Sequence, residues 1–355
     1  MKKIKAAVLF GGASSEHEVS VVSATSVLRN IPKDKYDVIM VGITKDGRWL
    51  EYTGDVEDIA SMEWEHHPAR TVVISPDRSH HGLIMMDGSR CEICPVDVCF
   101  PVLHGKNGED GTVQGLLQLA GIPFVGCDMV SSADCMDKEV THTVLEASGV
   151  PMAKWNSIRV GDMEKFDEMA ELFEAHLGYP MFVKPANAGS SVGVSKAKNR
   201  AELKTACEVA LKEDRKAIIE EFVDGIEVEN AVLGNDHPVA SAVCGEITPL
   251  VEFYTYDAKY KDDSTELHIP ARISDETNER IRALAEKAYV SIGCEGLSRV
   301  DFFVKKDGSL ILNEINTIPG FTSISMYPKL WNASGVAYAE LLDRLLTLAM
   351  ERNMK

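Results

Sequence analysis

No stretch of this chain approaches the roughly 18 apolar residues that a membrane-spanning helix needs. The apolar run in the opening MKKIKAAVLFGG is too short for the hydrophobic region of a secretory signal. Basic residues are scarce beside acidic ones: Lys and Arg total 37, Asp and Glu 55, for a net charge of −18. So acidic a chain is a poor partner for nucleic acids or anionic membranes, although a local basic pocket can still hold phosphates. Cysteine occurs eight times, without metal spacing. Cys91 and Cys94 form a lone C-x-x-C with Cys99 nearby, whereas zinc takes four ligands and no second pair follows. Scattered thiols without a secretory start predict the reduced cytoplasm. A G-x-x-x-x-G-K-[ST] phosphate loop is absent, as are internal repeats and low-complexity segments.

What is present reads as two or three α/β domains, as expected for 355 residues that are 45% hydrophobic. Residues 4–12, 36–44 and 96–105 are strand-like, and 18–29 and 109–123 helical, which predicts a parallel Rossmann-like sheet over 1–128. Ligands then gather at the carboxyl ends of strands, near residues 11–16 and 104–108. A second unit, 129–227, has a helix at 137–148, a strand, a Gly-Ser loop and a second strand, then a helix at 200–213 and a strand at 216–223. The third, 228–355, has helices at 275–292 and 336–350 and a polar, irregular segment at 253–269 of the kind that forms active-site lids or stays disordered.

The richest chemistry lies in RVDFFVKKDGSLILNEIN. Asp307-Gly308 between two β-like runs predicts a two-residue hairpin loop. Lys306 then pairs with Ser309, which sets Asp301 opposite Glu314 and Arg299 opposite Asn316, all four on one face. Directly opposed carboxylates repel, so this face is either solvated or holds a cation. Two carboxylates and an amide oxygen suit Mg²⁺ completed by water and phosphate oxygens, and Arg299 suits a transferring phosphate. In KPANAGSSVGVSK, Ser190, Ser191 and the glycines form a phosphate cradle or a plain turn, with Lys184 and Lys138 as phosphate partners. In IIEEFVDGIEVE, residues 220–223 offer a backbone edge for adenine and Glu227 a carboxylate for ribose, if these acids are not simply solvated. Glu16 after Gly-Gly either belongs to a helix N-terminus capped by Ser14 or Ser15 or binds a substrate ammonium. His104 is a packing residue or a site residue.

The segments GGASSEHEVS, PVLHGKNGEDGTVQG, CMDK, KPANAGSSVGVS, YDAKY, SRVDFF and NEINTIPGFTS occur in this order along nearly the whole chain. Together they resemble the D-alanine–D-alanine ligases of the ATP-grasp fold. The resemblance implies an α/β (α+β) architecture of three domains with ATP between the central and C-terminal ones. It implies two Mg²⁺ or Mn²⁺ ions at Asp301, Glu314 and Asn316. The ATP set would be Lys138, Lys184, Ser191, Glu220, Glu221, Phe222, Val223, Glu227 and Asn313. Glu16 would hold the first D-alanine ammonium and link to Ser190 and Tyr260, while Arg299 and the Gly320 amide stabilise the transition state. His104, Lys259, Ser325 and Met326 would surround the amino acids. A cytoplasmic homodimer making a peptidoglycan precursor is the implied context. Many relatives that add D-serine or D-lactate carry arginine where this chain has Met326, and D-lactate-adding members generally lose the tyrosine of AKY, kept here as Tyr260. Both points favour D-alanine as second substrate. FPVLHGKNGEDGT and AGIPFVGCD also look like D-serine-type ligases, which makes D-serine the alternative.

Overall fold

Strands joined by helices pair parallel, and strands joined by tight turns pair antiparallel. The N-terminal sheet contains both kinds. The computed structural model describes residues 2–67, 69–189, 192–249 and 265–352. The first sheet is built from β1 (Ile4–Gly11), β2 (Tyr36–Ile43), β3 (Trp49–Tyr52), β4 (Thr71–Ile74), β5 (Gly82–Asp87), β6 (Arg90–Pro95) and β7 (Val98–Pro101). Their order is β6-β5-β4-β3-β2-β1-β7. β1 is parallel to β2 and β7, with α1 (His17–Asn30) as the first crossover, and its residues 6–10 are fully buried. From β2 to β6 the pairing is antiparallel. The expected parallel sheet is therefore right for three strands and wrong for the rest. The β5–β6 turn shows why: Asp87 pairs with Arg90 around Gly88, whose φ of +58° closes a turn too short for a crossover. The short α2 (Glu57–Ala60) and α3 (Thr112–Ala120) complete this part.

Asp128 and Asp137 cap α4 (Met129–Met136) and α5 (Lys138–Ala147), accepting from Ser131 N at 2.8 Å and Glu139 N at 3.1 Å. The central unit is an antiparallel sheet ordered β10-β9-β11-β8, from β8 (Trp155–Arg159), β9 (Met181–Pro185), β10 (Ser195–Ala197) and β11 (Lys216–Glu221). α6 (Phe166–Leu177) and α7 (Arg200–Glu213) cover it through Phe173, Leu203 and Ile219. The third sheet is β15-β14-β12-β16-β17, from β12 (Gly225–Gly234), β14 (Gly245–Pro249), β15 (Thr265–His268), β16 (Gly296–Lys305) and β17 (Leu310–Asn316). β13 (Val239–Ala240) pairs with β12. α8 (Asp275–Ser291) packs Ile281, Ala285 and Tyr289 against Val300 and Phe302. α9 (Met326–Ala333) and α10 (Tyr338–Arg352) cluster with Ala231, Leu233 and Ile247. The division expected at 227/228 falls inside β12, which pairs with β16 from Gly225 onward. Residues 265–268 of the expected irregular segment form β15 against β14, and 253–264 lie outside the described residues. Among the described residues no helix is long and apolar enough to cross a membrane.

The β16–β17 hairpin reaches the expected pairing by a different route. Lys305 N donates to Ser309 O and Gly308 N to Lys305 O, both at 2.9 Å, with Gly308 at φ +79°. The loop thus has three residues, 306–308, where two were expected, and the nearby pairs are offset: Val304 faces Leu310 and Phe302 faces Leu312. A bulge between Asp301 and Phe302 then absorbs Asn313 and restores Asp301 opposite Glu314 and Arg299 opposite Asn316. The bulge also switches faces. Leu310, Leu312 and Ile315 are all buried, although a regular strand would put Ile315 opposite the two leucines. Without it, Glu314 would share the core face of Leu312, where a carboxylate is costly.

Candidate active site

The central and C-terminal sheets enclose a cleft of about 550 Å³. Lys138, Lys184, Glu220, Glu221, Phe222, Val223, Glu227 and Asn313 all line it, whereas Ser191 lies outside the described residues. Its apolar walls include Phe182, Ile247, Phe303 and Leu312, suited to a flat base. Phe182 and Phe222 stack at 6.0 Å, and Lys196 stands 4.4 Å over the Phe222 ring. Glu220 anchors the cleft floor. One oxygen is 2.6 Å from Lys184 Nζ and the other 2.9 Å from His142 Nε2. Burial raises the Glu220 carboxyl, but Lys184 and His142 outweigh it and hold it down at about 2. His142 was not anticipated. It lies four residues after Lys138 on α5, so the two share a helix face. Burial lowers the Lys138 ammonium against the pull of Glu314, and its Nζ donates to Ala188 O at 2.8 Å.

Next to the cleft three acids stand in a row: Glu229 on β12 faces Asp301 on β16, which faces Glu314 on β17. Arg299 offsets their repulsion. Its Nε is 2.8 Å from Asp301 Oδ1 and 3.1 Å from Glu229 Oε2, and its Nη2 is 2.7 Å from Asp301 Oδ2. Burial disfavours the guanidinium charge, yet Asp301 and Glu229 hold its pKa well above the ordinary value. Glu229 was missed, although the alternation Glu227-x-Glu229 along one strand could have marked it. Asn316 Nδ2 donates to Asp301 Oδ2 at 3.0 Å. Among the described residues no group of three His, Cys, Asp or Glu closes on a metal position. A cation held between Asp301 and Glu314 would have the Asn316 amide within reach as a further donor, its oxygen and nitrogen being exchangeable by a flip. Two carboxylates, an amide and phosphate oxygens fit Mg²⁺.

Glu16 is buried where the N-terminal and central parts meet. It occupies the N-cap position of α1 without a side-chain capping bond, while Ser14 Oγ accepts from Glu16 N at 3.1 Å. A Cβ added at Gly105 would stand 2.4 Å from Glu16 Oε2, and one at Gly189 would stand 2.9 Å from it. The loop that carries Ser190 thus leaves from beside Glu16. Ser190, Lys259 and Tyr260 lie outside the described residues. Glu109, also not anticipated, accepts from Gly105 N at 2.6 Å. Burial first, then the charges of Glu16 and Glu314, push its carboxyl up to about 8. Burial pushes His104 down to about 4, so the ring is neutral at pH 7. Thr322 N donates to Ser325 Oγ at 3.0 Å, and that hydroxyl lies 2.6 Å from where a Gly320 Cβ would sit. Met326 is 4% exposed and lays its thioether over Gly245, where a Cβ would meet its Sδ at 2.3 Å.

Two sheets closing on a cleft, with lysines at its floor and an acid-bearing strand pair at its side, define an ATP-grasp enzyme. Residues 5–127 match the family model "D-ala D-ala ligase N-terminus" and 144–347 match "D-ala D-ala ligase C-terminus". The chain is 50% identical to a D-alanine–D-alanine ligase of Caldicellulosiruptor bescii, covering 99% of this chain and 97% of that one. It is also 50% identical to one of Clostridium novyi, over 100% of both. Among solved structures, the VanG D-Ala:D-Ser ligase of Enterococcus faecalis superposes with a TM-score of 0.90 at 42% identity, covering 98% of this chain and 100% of that one. The D-alanine–D-alanine ligase of Coxiella burnetii gives 0.84 at 34%, covering 99% and 96%. The chain belongs to the D-alanine–D-alanine ligase family.

Proposed function

We infer that the chain joins two D-alanines at the expense of ATP, giving ADP, phosphate and the dipeptide used in peptidoglycan precursors. The observation that carries this is Arg299 clamped between Glu229 and Asp301, with Glu314 opposite, beside a cleft floored by Lys138 and Lys184. Phosphoryl transfer needs positioning and charge neutralisation more than covalent chemistry, and this arrangement supplies both. In the first step the carboxylate of one D-alanine attacks the γ-phosphorus of ATP and ADP leaves, giving D-alanyl phosphate. Glu16 holds that amino acid's ammonium, and the two lysines hold phosphate oxygens. Asp301, Glu314 and Asn316 would hold Mg²⁺, which would supply neutralisation of the phosphate charge. In the second step the amine of the other D-alanine attacks the acyl carbon, loses a proton, and phosphate departs. Arg299 and the Gly320 amide stabilise the tetrahedral intermediate, with Ser325 and Met326 near the second amino acid. Ser190 and Tyr260 complete the link to Glu16, and Lys259 belongs to the same set.

Two metal ions, a cytoplasmic homodimer and domains at 1–128, 129–227 and 228–355 belong to this reading, the last division moved to the β11–β12 junction. The likeness to VanG favours one alternative, D-serine as the second substrate. A product assay with ATP, Mg²⁺ and D-alanine against equal D-serine decides between them. D-Ala–D-Ala is expected to dominate, with no phosphate released when D-alanine is omitted or the metal chelated. D-Ala–D-Ser as main product would establish the alternative, and no dipeptide at all would refute the function.

A further inference from the structure

Residues 318–321 carry the Gly320 amide, and their grip comes largely from the N-terminal domain. Phe321 N–H donates to Ser23 Oγ at 3.3 Å, and the same oxygen lies 3.2 Å from His104 Nε2. Ser23 is fully buried on α1 and His104 is 5% exposed. A hydroxyl has one proton and two acceptor sites, so Ser23 Oγ takes the Phe321 N–H and pairs with His104 Nε2 at the same time. The Ile318 backbone also acts on the ring in the sense that favours its protonated form. Ser23 Oγ thus ties the Phe321 amide, next to Gly320, to the His104 ring. Phe321 C=O accepts from Tyr338 OH at 2.9 Å, and that hydroxyl is 3.1 Å from Ser26 of α1. The Phe321 ring is fully buried, edge-on to Phe100 at 5.6 Å. Proline has no N–H to offer, which leaves the Gly320 amide as the donor this short segment presents to a ligand.

We propose that Ser23 is a positioning residue for catalysis: acting through His104 and Phe321, it holds the Gly320 amide where the reacting oxygen develops charge. α1 begins beside Glu16, so one helix registers the first amino acid against the transition-state loop. The inference rests on the assignment of the Gly320 amide under Proposed function.

Ser23→Ala removes the shared oxygen and adds no bulk. Assayed with ATP, Mg²⁺ and D-alanine, it is expected to lower kcat about 10- to 100-fold, because an electrostatic donor displaced by about 1 Å loses most of its effect. KM for ATP should stay within about twofold, since the nucleotide cleft is untouched. Dipeptide formed per phosphate released should fall below one, because slower amine attack leaves the acyl phosphate to water. Tyr338→Phe, which loses only a hydroxyl, should show the same pattern more weakly and decides the matter if Ser23→Ala does not fold. Ser20→Ala is the structural control, equally buried on α1 but bonded to Gly11 N and Val102 O. It should lower thermal stability without changing the dipeptide-to-phosphate ratio. Unchanged kcat and ratio in Ser23→Ala and Tyr338→Phe would overturn the proposal, as would a loss matched by Ser20→Ala. A wild-type protein that makes no dipeptide would instead overturn the function reading.

Discussion

Replacing Glu220 by glutamine keeps the side chain's length and removes a charge that Lys184 and His142 both engage. The Glu220 carboxyl falls from 4.5 to about 2 on folding, an interval that corresponds to about 3 kcal/mol. A depressed carboxyl contributes stability that is complete above its unfolded value and lost as pH falls through its folded value. Glu220→Gln should therefore destabilise the protein by about 3 kcal/mol at pH 7 and by roughly half as much at pH 3. Breaking a buried ion pair by removing one partner gives a similar cost, about 3–5 kcal/mol, because Lys184 is left without its nearest counter-charge. Urea unfolding of wild type and variant at both pH values measures the two gaps. KM for ATP should rise in parallel, since Lys184 loses its support at the cleft floor. A gap under about 1 kcal/mol at pH 7, or one that does not narrow at pH 3, would refute the electrostatic account of this pair.

Arg299→Lys keeps the charge but cannot reproduce three contacts to Asp301 and Glu229. kcat should fall by about 10²-fold or more in steady-state assays while the protein remains folded by circular dichroism. Gly105→Ala forces a Cβ toward Glu16 Oε2 at a φ of +67°, so KM for the first D-alanine should rise while KM for ATP holds, read from initial rates with each substrate varied.

Much of the site was legible because its residues sit on short contiguous segments with a period of two or a helical step. Asp301 with Glu314 and Arg299 with Asn316 were paired correctly from sequence, although the loop was misjudged by one residue and the bulge at Asn313 made up the difference. A bulge leaves no mark in an alternation count, because only the cost of a carboxylate in the core reveals that one must be there. β3 to β5 were missed for a related reason. Their runs are short and their turns ordinary, so nothing local separates a meander from loops between crossovers.

The sequence by itself determined the family, the order of its motifs, the main helices, and many of the residues that line the cleft. Backbone propensity, alternation and turn chemistry act over a few residues, and these features need nothing more. Tertiary structure alone decided how charge is shared. Glu220 meets His142 across 78 residues of chain, Ser23 meets Phe321 across 298, and Glu109 is raised by acids from two other segments. Electrostatic energy depends on distance through space and on burial, and neither is written in separation along the chain.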